Sequence, residues 1–221
     1  NINNCSVMGD SRYDRVMELL NQNNEVPFLK DFKNNKLCIV AGSTWKEDDD
    51  LIINFINSNS STNTCWIIVP HQINLKYIKE LRNQIKFNSI LLSELNFESF
   101  HNINLIIVDS VGLLTKLYSY ADISYVGGGM GKFGLHNTLE PAVYKIPIIV
   151  GQNFKNFPEV SELIDLNGII SVNNSDSFET EIIELIQSND KRNKMGKINF
   201  EYIKSNLGAS KKVISYLNEK K

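Results

Sequence analysis

Residues 123–141, ISYVGGGMGKFGLHNTLEP, decide how the chain is read. A short β-branched apolar run, Ile123–Val126, is followed by three glycines, and a helical pattern begins near Asn137. Strand, loop and helix in that order form the repeating unit of a parallel sheet covered by helices. Within the loop, Gly129-Met130-Gly131-Lys132-Phe133-Gly134 matches G-x-G-x-x-G literally. A dinucleotide fingerprint needs more: a helix opening on the glycine turn, and an acid about 20 residues on, at the end of the next strand. Here Phe133–His136 still reads as loop, and the next strand ends in Val150-Gly151-Gln152 without an acid. A phosphate-binding loop of the G-K-[ST] kind fails too, because Gly131-Lys132 is followed by Phe133. The match is accidental, and the weight falls on the residues just after it.

Asn137 can cap the coming helix, whose first turn contains Glu140 and Pro141. Proline is tolerated there because its missing N–H would have no helical partner. A carboxylate in that turn can accept two hydrogen bonds from a ribose diol. The backbone N–H groups of Asn137, Thr138 and Leu139 would meet a phosphate at the positive end of the helix.

Working outward, the same alternation fills the chain. Leu37–Ala41, Cys65–Val69, Leu105–Val108, Ile123–Val126 and Ile146–Val150 read as buried strands, with weaker ones at Ser89–Leu92 and Gly168–Val172. Helical patterns lie between them at Glu47–Asn57, Leu75–Ile85, Leu113–Tyr120, Thr138–Tyr144, Glu159–Leu166 and Phe178–Gln187. Strands covered on both faces read as continuous apolar runs, so the fold class is α/β with a doubly wound parallel sheet. The stretch 190–221 is helical and Lys-rich, and is expected to pack back on the sheet with one face solvated. No internal repeat or low-complexity linker divides the chain, which is expected to be one domain over residues 1–221.

Composition sets the outer bounds. The 221 residues are 42% hydrophobic and 22% charged, an ordinary globular mixture. A net charge of -2 argues against a broad nucleic-acid surface. Cys5, Cys38 and Cys65 share no metal-ligand spacing, and the latter two sit in apolar runs as small core residues. A reducing, cytoplasmic setting fits this usage. No apolar run approaches the roughly 20 residues of a membrane-spanning helix.

Ligands of open parallel sheets bind beyond the carboxyl ends of the strands. The residues there are Gly42-Ser43-Thr44-Trp45, Pro70-His71-Gln72, Asp109-Ser110-Val111-Gly112, Gly127-Gly128-Gly129 and Gly151-Gln152-Asn153. Thr44 and Glu47 have the spacing of a capping box, which would turn the N–H groups of Gly42 and Ser43 toward an anion. Pro70 fixes the backbone before His71, making that ring a candidate ligand contact. Asp109 or Ser110 can cap the following helix. Gly112 allows close approach to the backbone. His101 lies in a polar connector and is expected to face solvent.

This combination resembles a known family. Gly127-Gly128-Gly129, His136-Asn137-Thr138-Leu139-Glu140-Pro141-Ala142 and Ile146-Pro147-Ile148-Ile149-Val150-Gly151 are similar to the C-terminal domain of bacterial 3-deoxy-D-manno-octulosonic acid (Kdo) transferases. Gly9-Asp10-Ser11-Arg12-Tyr13-Asp14-Arg15-Val16, Ala41-Gly42-Ser43-Thr44-Trp45, Val69-Pro70-His71 and Val108-Asp109-Ser110-Val111-Gly112 agree in order. The resemblance implies the C-terminal, Rossmann-like half of a GT-B glycosyltransferase. That half would hold the donor, CMP-Kdo, while an N-terminal domain receives a lipid A precursor at the cytoplasmic face of the bacterial inner membrane. It further implies CMP contacts from Ser43, Thr44, Pro70, His71, Val111, Gly112, Leu113, Gly128, Gly129, Asn137, Thr138 and Leu139, with Glu140 on the ribose. Arg12 would stabilise charge on the departing phosphate. No metal or other cofactor is expected, since helix ends and Arg or Lys supply the positive charge. Two positions depart from the family: His71 stands where some members have Arg, and Val111-Gly112-Leu113 where some have Met-Gly-Glu.

The family's catalytic base and membrane-associating surface belong to its N-terminal domain. The chain from Asn1 is too short to include them, so it is expected to bind CMP without transferring sugar alone. Three alternatives remain. One is a GT-B domain for a UDP sugar, which would use the same Glu140. Another is a nicotinamide-cofactor oxidoreductase built on the glycine stretch. The last is a non-catalytic nucleotide-binding module.

Overall fold

The computed structural model describes residues 5–59, 63–95 and 103–219; His101 lies outside them. Seven parallel strands form one sheet: β1 Leu37–Thr44, β2 Thr64–Pro70, β3 Ser89–Leu91, β4 Leu105–Ile107, β5 Ile123–Val126, β6 Ile148–Gly151 and β7 Ile169–Val172. Their spatial order is β3-β4-β2-β1-β5-β6-β7. Successive strands add to one side of β1 as far as β4, and from β5 onward to the other. The winding therefore reverses between β1 and β5, and a crevice opens beyond their carboxyl ends.

Among the described residues ten α-helices flank the sheet or pack beside it: α1 Ser11–Met17, α2 Pro27–Lys33, α3 Lys46–Ser58, α4 Leu75–Gln84, α5 Leu114–Tyr118, α6 Leu139–Ala142, α7 Pro158–Asp165, α8 Ser175–Gln187, α9 Asn189–Ser205 and α10 Ala209–Glu219. Side chains alternate across each strand, so neighbours in one apolar run enter different cores. Ile39, Ala41, Trp66, Ile68 and Tyr125 pack with α3, α4 and α8. Cys38, Val40, Cys65 and Ile67 pack with α2 and α5 on the opposite face. Val126, Ile148 and Val150 meet α1, α6, α7 and α9. Both faces are covered, which is why these strands look uniformly apolar in sequence. Cys38 and Cys65 are buried and free, as expected of small core residues.

The elements match the sequence reading at their centres and depart at their ends. β1 runs three residues past its apolar stretch, through Gly42, Ser43 and Thr44; Gly42 and Thr44 pair with Val69 and Pro70 of β2, and Ser43 bulges between them. The turn between strand and α3 is correspondingly shorter. The expected helix Thr138–Tyr144 shrinks to the single turn Leu139–Ala142. The expected helix over 190–221 is broken at Asn206–Gly208 into α9 and α10. Only α9 packs back as expected, burying Met195, Asn199 and Ile203. In α10 Ala209 is the buried residue, while Ile214 and Leu217 stay exposed. Asp14 joins α10 to α1, accepting the N–H groups of Gly208 and Ser210 at 2.7 Å each. These bonds hold the Asp14 carboxyl below its usual pKa. Among the described residues no helix is long and apolar enough to cross a membrane.

Candidate functional site

The crevice between β1 and β5 is built around a buried carboxylate that sequence reasoning missed. Asp48, in the first turn of α3, is fully buried. Its Oδ2 accepts the N–H of Gly128 at 2.7 Å and that of Trp45 at 2.9 Å. Its Oδ1 accepts the Tyr125 hydroxyl at 2.7 Å and the Met130 N–H at 3.4 Å. One side chain thus ties the β1–α3 turn, strand β5 and the glycine loop together. Burial raises its pKa, while these hydrogen bonds pull the other way.

The capping box read from Thr44 and Glu47 is corrected here. Thr44 is still in β1, Trp45 is the N-cap residue, and the reciprocal bond comes from Asp48 rather than Glu47. Because Gly42 and Ser43 lie inside the strand, their N–H groups are not at the helix end. The Gly42 carbonyl accepts the Gly127 N–H at 2.9 Å. Ser43 adopts φ 54 at the bulge between β1 and β2. The signal for Asp48 was the run Asp48-Asp49-Asp50, but only the true start of α3 selects which acid faces inward.

The glycine loop is a tight backbone crossing. A Cβ on Gly151 would lie 2.2 Å from the Gly129 carbonyl carbon, and one on Gly127 would lie 2.4 Å from the Ser43 oxygen. Gly128 adopts φ 93, which side chains rarely tolerate. The glycines serve packing between β1, β5 and β6, not a dinucleotide turn.

Four rings stand over this crossing. The Trp45 indole donates its Nε1–H to His136 Nε2 at 3.0 Å, and the two rings are nearly coplanar, inclined by 9°. His136 is thus neutral, with its proton on Nδ1; burial, then the neighbouring His71, lowers its pKa. His71 stacks on both, 4.8 Å from Trp45 and 4.2 Å from His136. Phe133 stacks on Trp45 at 4.0 Å. The exposed His71 is held further by its N–H, which reaches the Thr44 carbonyl at 2.9 Å.

At the start of α6, Asn137 bonds as a cap: its Oδ1 accepts the Leu139 N–H at 3.1 Å. Its Nδ2 donates to Glu140 Oε1, also at 3.1 Å. The Leu139 N–H proposed for a phosphate is therefore already satisfied within the chain. Glu140 is half-buried, and desolvation raises its pKa against the pull of Asn137 and Arg15. It shares a wall with Tyr118, whose buried hydroxyl is pushed up by burial and then by the Glu140 charge. That hydroxyl packs on Gly42, where a Cβ would approach it to 2.1 Å. The Thr138 hydroxyl is buried without a hydrogen-bond partner among the described residues.

The structure gathers most of the sequence-predicted residues. Ser43, Thr44, Pro70, His71, Gly128, Gly129 and Asn137–Glu140 surround the ends of β2, β1 and β5. The Val111–Leu113 turn lies farther along, beyond β4, with Val111 and Gly112 exposed and Gly112 at φ 89. Leu114, just after that turn, joins Tyr118 against Gly42. Asp109 does not cap α5; it accepts the N–H of Ser93 at 3.0 Å and also its hydroxyl.

Arg12 stands apart. Its guanidinium is held by Asp10 at 2.7 Å and by the buried Glu159 at 2.7 Å. It lines a cavity of about 500 Å³ with Ser11, Asp14, Arg15, Glu18 and Ser210, none of them a predicted nucleotide contact. Arg15, not Arg12, is the cation whose charge reaches Glu140. No three His, Cys, Asp or Glu residues gather as metal ligands among the described residues.

The 3-deoxy-D-manno-octulosonic acid transferase of Haemophilus influenzae is 29% identical over 96% of this chain. The chain is a relative of the Kdo transferases. It spans about half, 51%, of the Haemophilus protein. Among solved structures, the C-terminal CMP-Kdo binding domain of WaaA from Acinetobacter baumannii superposes with a TM-score of 0.72. That match has 20% identity and covers 86% of this chain and 97% of the other. The S. aureus MnaA–UDP structure superposes with a TM-score of 0.65 at 15% identity, over 96% of this chain and 54% of the other. No protein-family model matches the chain. The fold is thus the Rossmann-like parallel sheet found in GT-B glycosyltransferases.

Proposed function

We propose that this chain is the donor-binding half of a Kdo transferase, a single domain over residues 1–221 that holds CMP-Kdo. The observation that carries the reading is the Asn137–Glu140 pair at the start of α6, with Glu140 acting on Tyr118, which packs on Gly42 beside the Asp48-pinned glycine loop at the β1/β5 switch point. Glu140 accepts the ribose diol, and Asn137 orients its carboxylate. His71 and the Val111–Leu113 turn border the base. Ser43, Thr44, Pro70, Gly128, Gly129, Thr138 and Leu139 complete the wall. In this reading a lipid A precursor is bound by a separate domain at the cytoplasmic face of the inner membrane, and the greater length of the Haemophilus relative leaves room for such a domain. These 221 residues are expected to bind CMP on their own.

Within this reading Arg12 reaches the phosphate only after exchanging a carboxylate for it, because Asp10 and Glu159 now occupy its guanidinium. A second reading, a UDP sugar as donor, is favoured by the UDP-bound structural relative MnaA. Calorimetric titration with CMP, UMP and UDP separates the two. Saturable CMP binding, stronger than that of UMP, is expected. Failure of CMP to bind at millimolar concentration removes the assignment, and preference for UDP moves it to the second reading.

A further inference from the structure

The glycine loop faces a second cavity, of about 340 Å³, whose lining no role above explains. It lies between Gly131, Lys132 and Gly134 on one side and Asn153, Lys155, Asn156 and Phe157 on the other. Its framework is pinned: Asn153 donates through Nδ2 to the Gly131 carbonyl at 2.8 Å and through its N–H to the Gly129 carbonyl at 2.9 Å. The two lysines are exposed, and neither has an ion pair or hydrogen-bond partner among the described residues. No carboxylate lines the cavity. The nearest carboxylate is that of Glu47, which packs beside Gly131 at the edge of the cavity, 2.9 Å from where a Cβ there would stand.

Two other cavities show what compensation looks like. In the one lined by Arg12 and Arg15, Asp14 and Glu18 share the wall. In the one lined by Thr44, Trp45, Gln72, Asn74 and Tyr77, the cation is Lys46, which is paired with Asp50. Lys132 and Lys155 thus combine same-sign charge with an absence of acidic partners in the lining. Two ammonium groups across a concave wall repel one another, and an anion placed between them reverses that cost.

We propose that this cavity binds the carboxylate of the donor's acidic sugar, with Lys132 and Lys155 as its ligands. The proposal rests on the CMP-Kdo reading above. Kdo carries its carboxylate on the carbon that bears the phosphate oxygen, so the two anionic groups of the donor are close neighbours. Gly134 lines the cavity, and its carbonyl lies against Gly128, where a Cβ would approach it to 2.1 Å. The cavity therefore adjoins the proposed nucleotide wall, and a sugar leaving that wall across the glycine loop meets the lysines first. Lys132 and Lys155 are specificity determinants in this arrangement: they distinguish an acidic sugar from a neutral one, and leave the nucleotide alone.

The test compares CMP with CMP-Kdo on the intact chain, by calorimetry, for wild type and for the double variant Lys132→Ala/Lys155→Ala. Both positions are exposed loop residues, and a thermal melt checks that the fold is kept. Wild type is expected to bind CMP-Kdo more tightly than CMP. The variant is expected to keep the wild-type Kd for CMP and to lose about tenfold for CMP-Kdo, as removal of charge-assisted contacts predicts. Lys132→Glu/Lys155→Glu is expected to lose more. An unchanged CMP-Kdo affinity, or an equal loss for both ligands, overturns the proposal while leaving the nucleotide site standing. Absence of CMP binding in wild type overturns the donor reading, and this inference with it.

Discussion

Two carboxylate-centred regions of this molecule use ion and hydrogen-bond chemistry in opposite ways. At Asp48 the carboxylate is fully buried and meets a hydroxyl and backbone N–H groups, with no cation in contact. At Arg12 the cation is half-exposed, 48%, and is shared between an exposed acid, Asp10, and a buried one, Glu159. The first arrangement fixes backbone: it sets where the glycine loop crosses β1 and β6. The second fixes a side chain on the surface, where water competes and the contact is exchangeable. The immobile part of the crevice is thus built on buried dipoles, while the candidate phosphate ligand is kept on a contact that a ligand can replace.

The largest expected effect breaks the first region. Asp48→Ala strands the Gly128 N–H, the Trp45 N–H and the Tyr125 hydroxyl, each costing about 1–3 kcal/mol when buried and unpaired. We expect a loss of about 3–5 kcal/mol in urea unfolding, with weakened CMP binding because the loop is released. A loss below about 1 kcal/mol would mean that the loop is held by its glycine crossings alone.

Next is the neighbouring acid. Asp49 is buried beside Tyr77, whose hydroxyl donates to Oδ2 at 2.5 Å, and burial pushes the Asp49 pKa up to about 7. A carboxyl whose folded pKa lies above its unfolded value binds more protons when folded. Its contribution is fully present below about pH 4 and is lost as pH rises through about 7. Asp49→Asn is therefore expected to be more stable than wild type at pH 8, by about 2 kcal/mol, and to show a flatter profile between pH 5 and pH 8. Urea midpoints at those two pH values check it; an identical slope in both proteins would contradict the assignment.

A smaller effect sharpens the comparison at the ligand. Glu140→Gln keeps the shape of the side chain and its bond to Asn137, but removes a charged acceptor. CMP affinity is expected to fall about tenfold, near 1.4 kcal/mol, with little change in melting temperature. Unaltered affinity would move the ribose elsewhere. The smallest effect is on the surface pair. Arg12→Ala is expected to cost about 1 kcal/mol of stability, more than a fully exposed pair because Glu159 is buried, and to leave the Kd for CMP within twofold. A large loss of CMP binding would place Arg12 on the phosphate already in the isolated chain.

Much of this was legible from residue order. The alternation of apolar runs and helical patterns specified a two-faced parallel sheet, because a strand buried on both sides has no polar period to hide. Asn137-x-x-Glu140-Pro141 was legible for a similar reason: capping and first-turn chemistry are local, and survive whatever packs around them. Element ends were less legible. β1 continues through Gly42, Ser43 and Thr44 because Val69 and Pro70 of β2 pair with it and the His71 backbone N–H reaches Thr44, and nothing within residues 42–44 announces that partner. That shift of one residue moved the capping box from Glu47 to Asp48.

By itself, then, the sequence determined the α/β class, the rim of strand ends and the Asn137–Glu140 helix start. Tertiary structure alone decided that Asp48 is the buried anchor, that Trp45, His71, Phe133 and His136 form one stacked group, and that Arg12 is committed to Asp10 and Glu159. The physical reason is range. Periodicity and capping are set by neighbours within a few residues, whereas Asp48 and Gly128, Trp45 and His136, or Arg12 and Glu159 meet only when strands far apart in the chain are laid side by side.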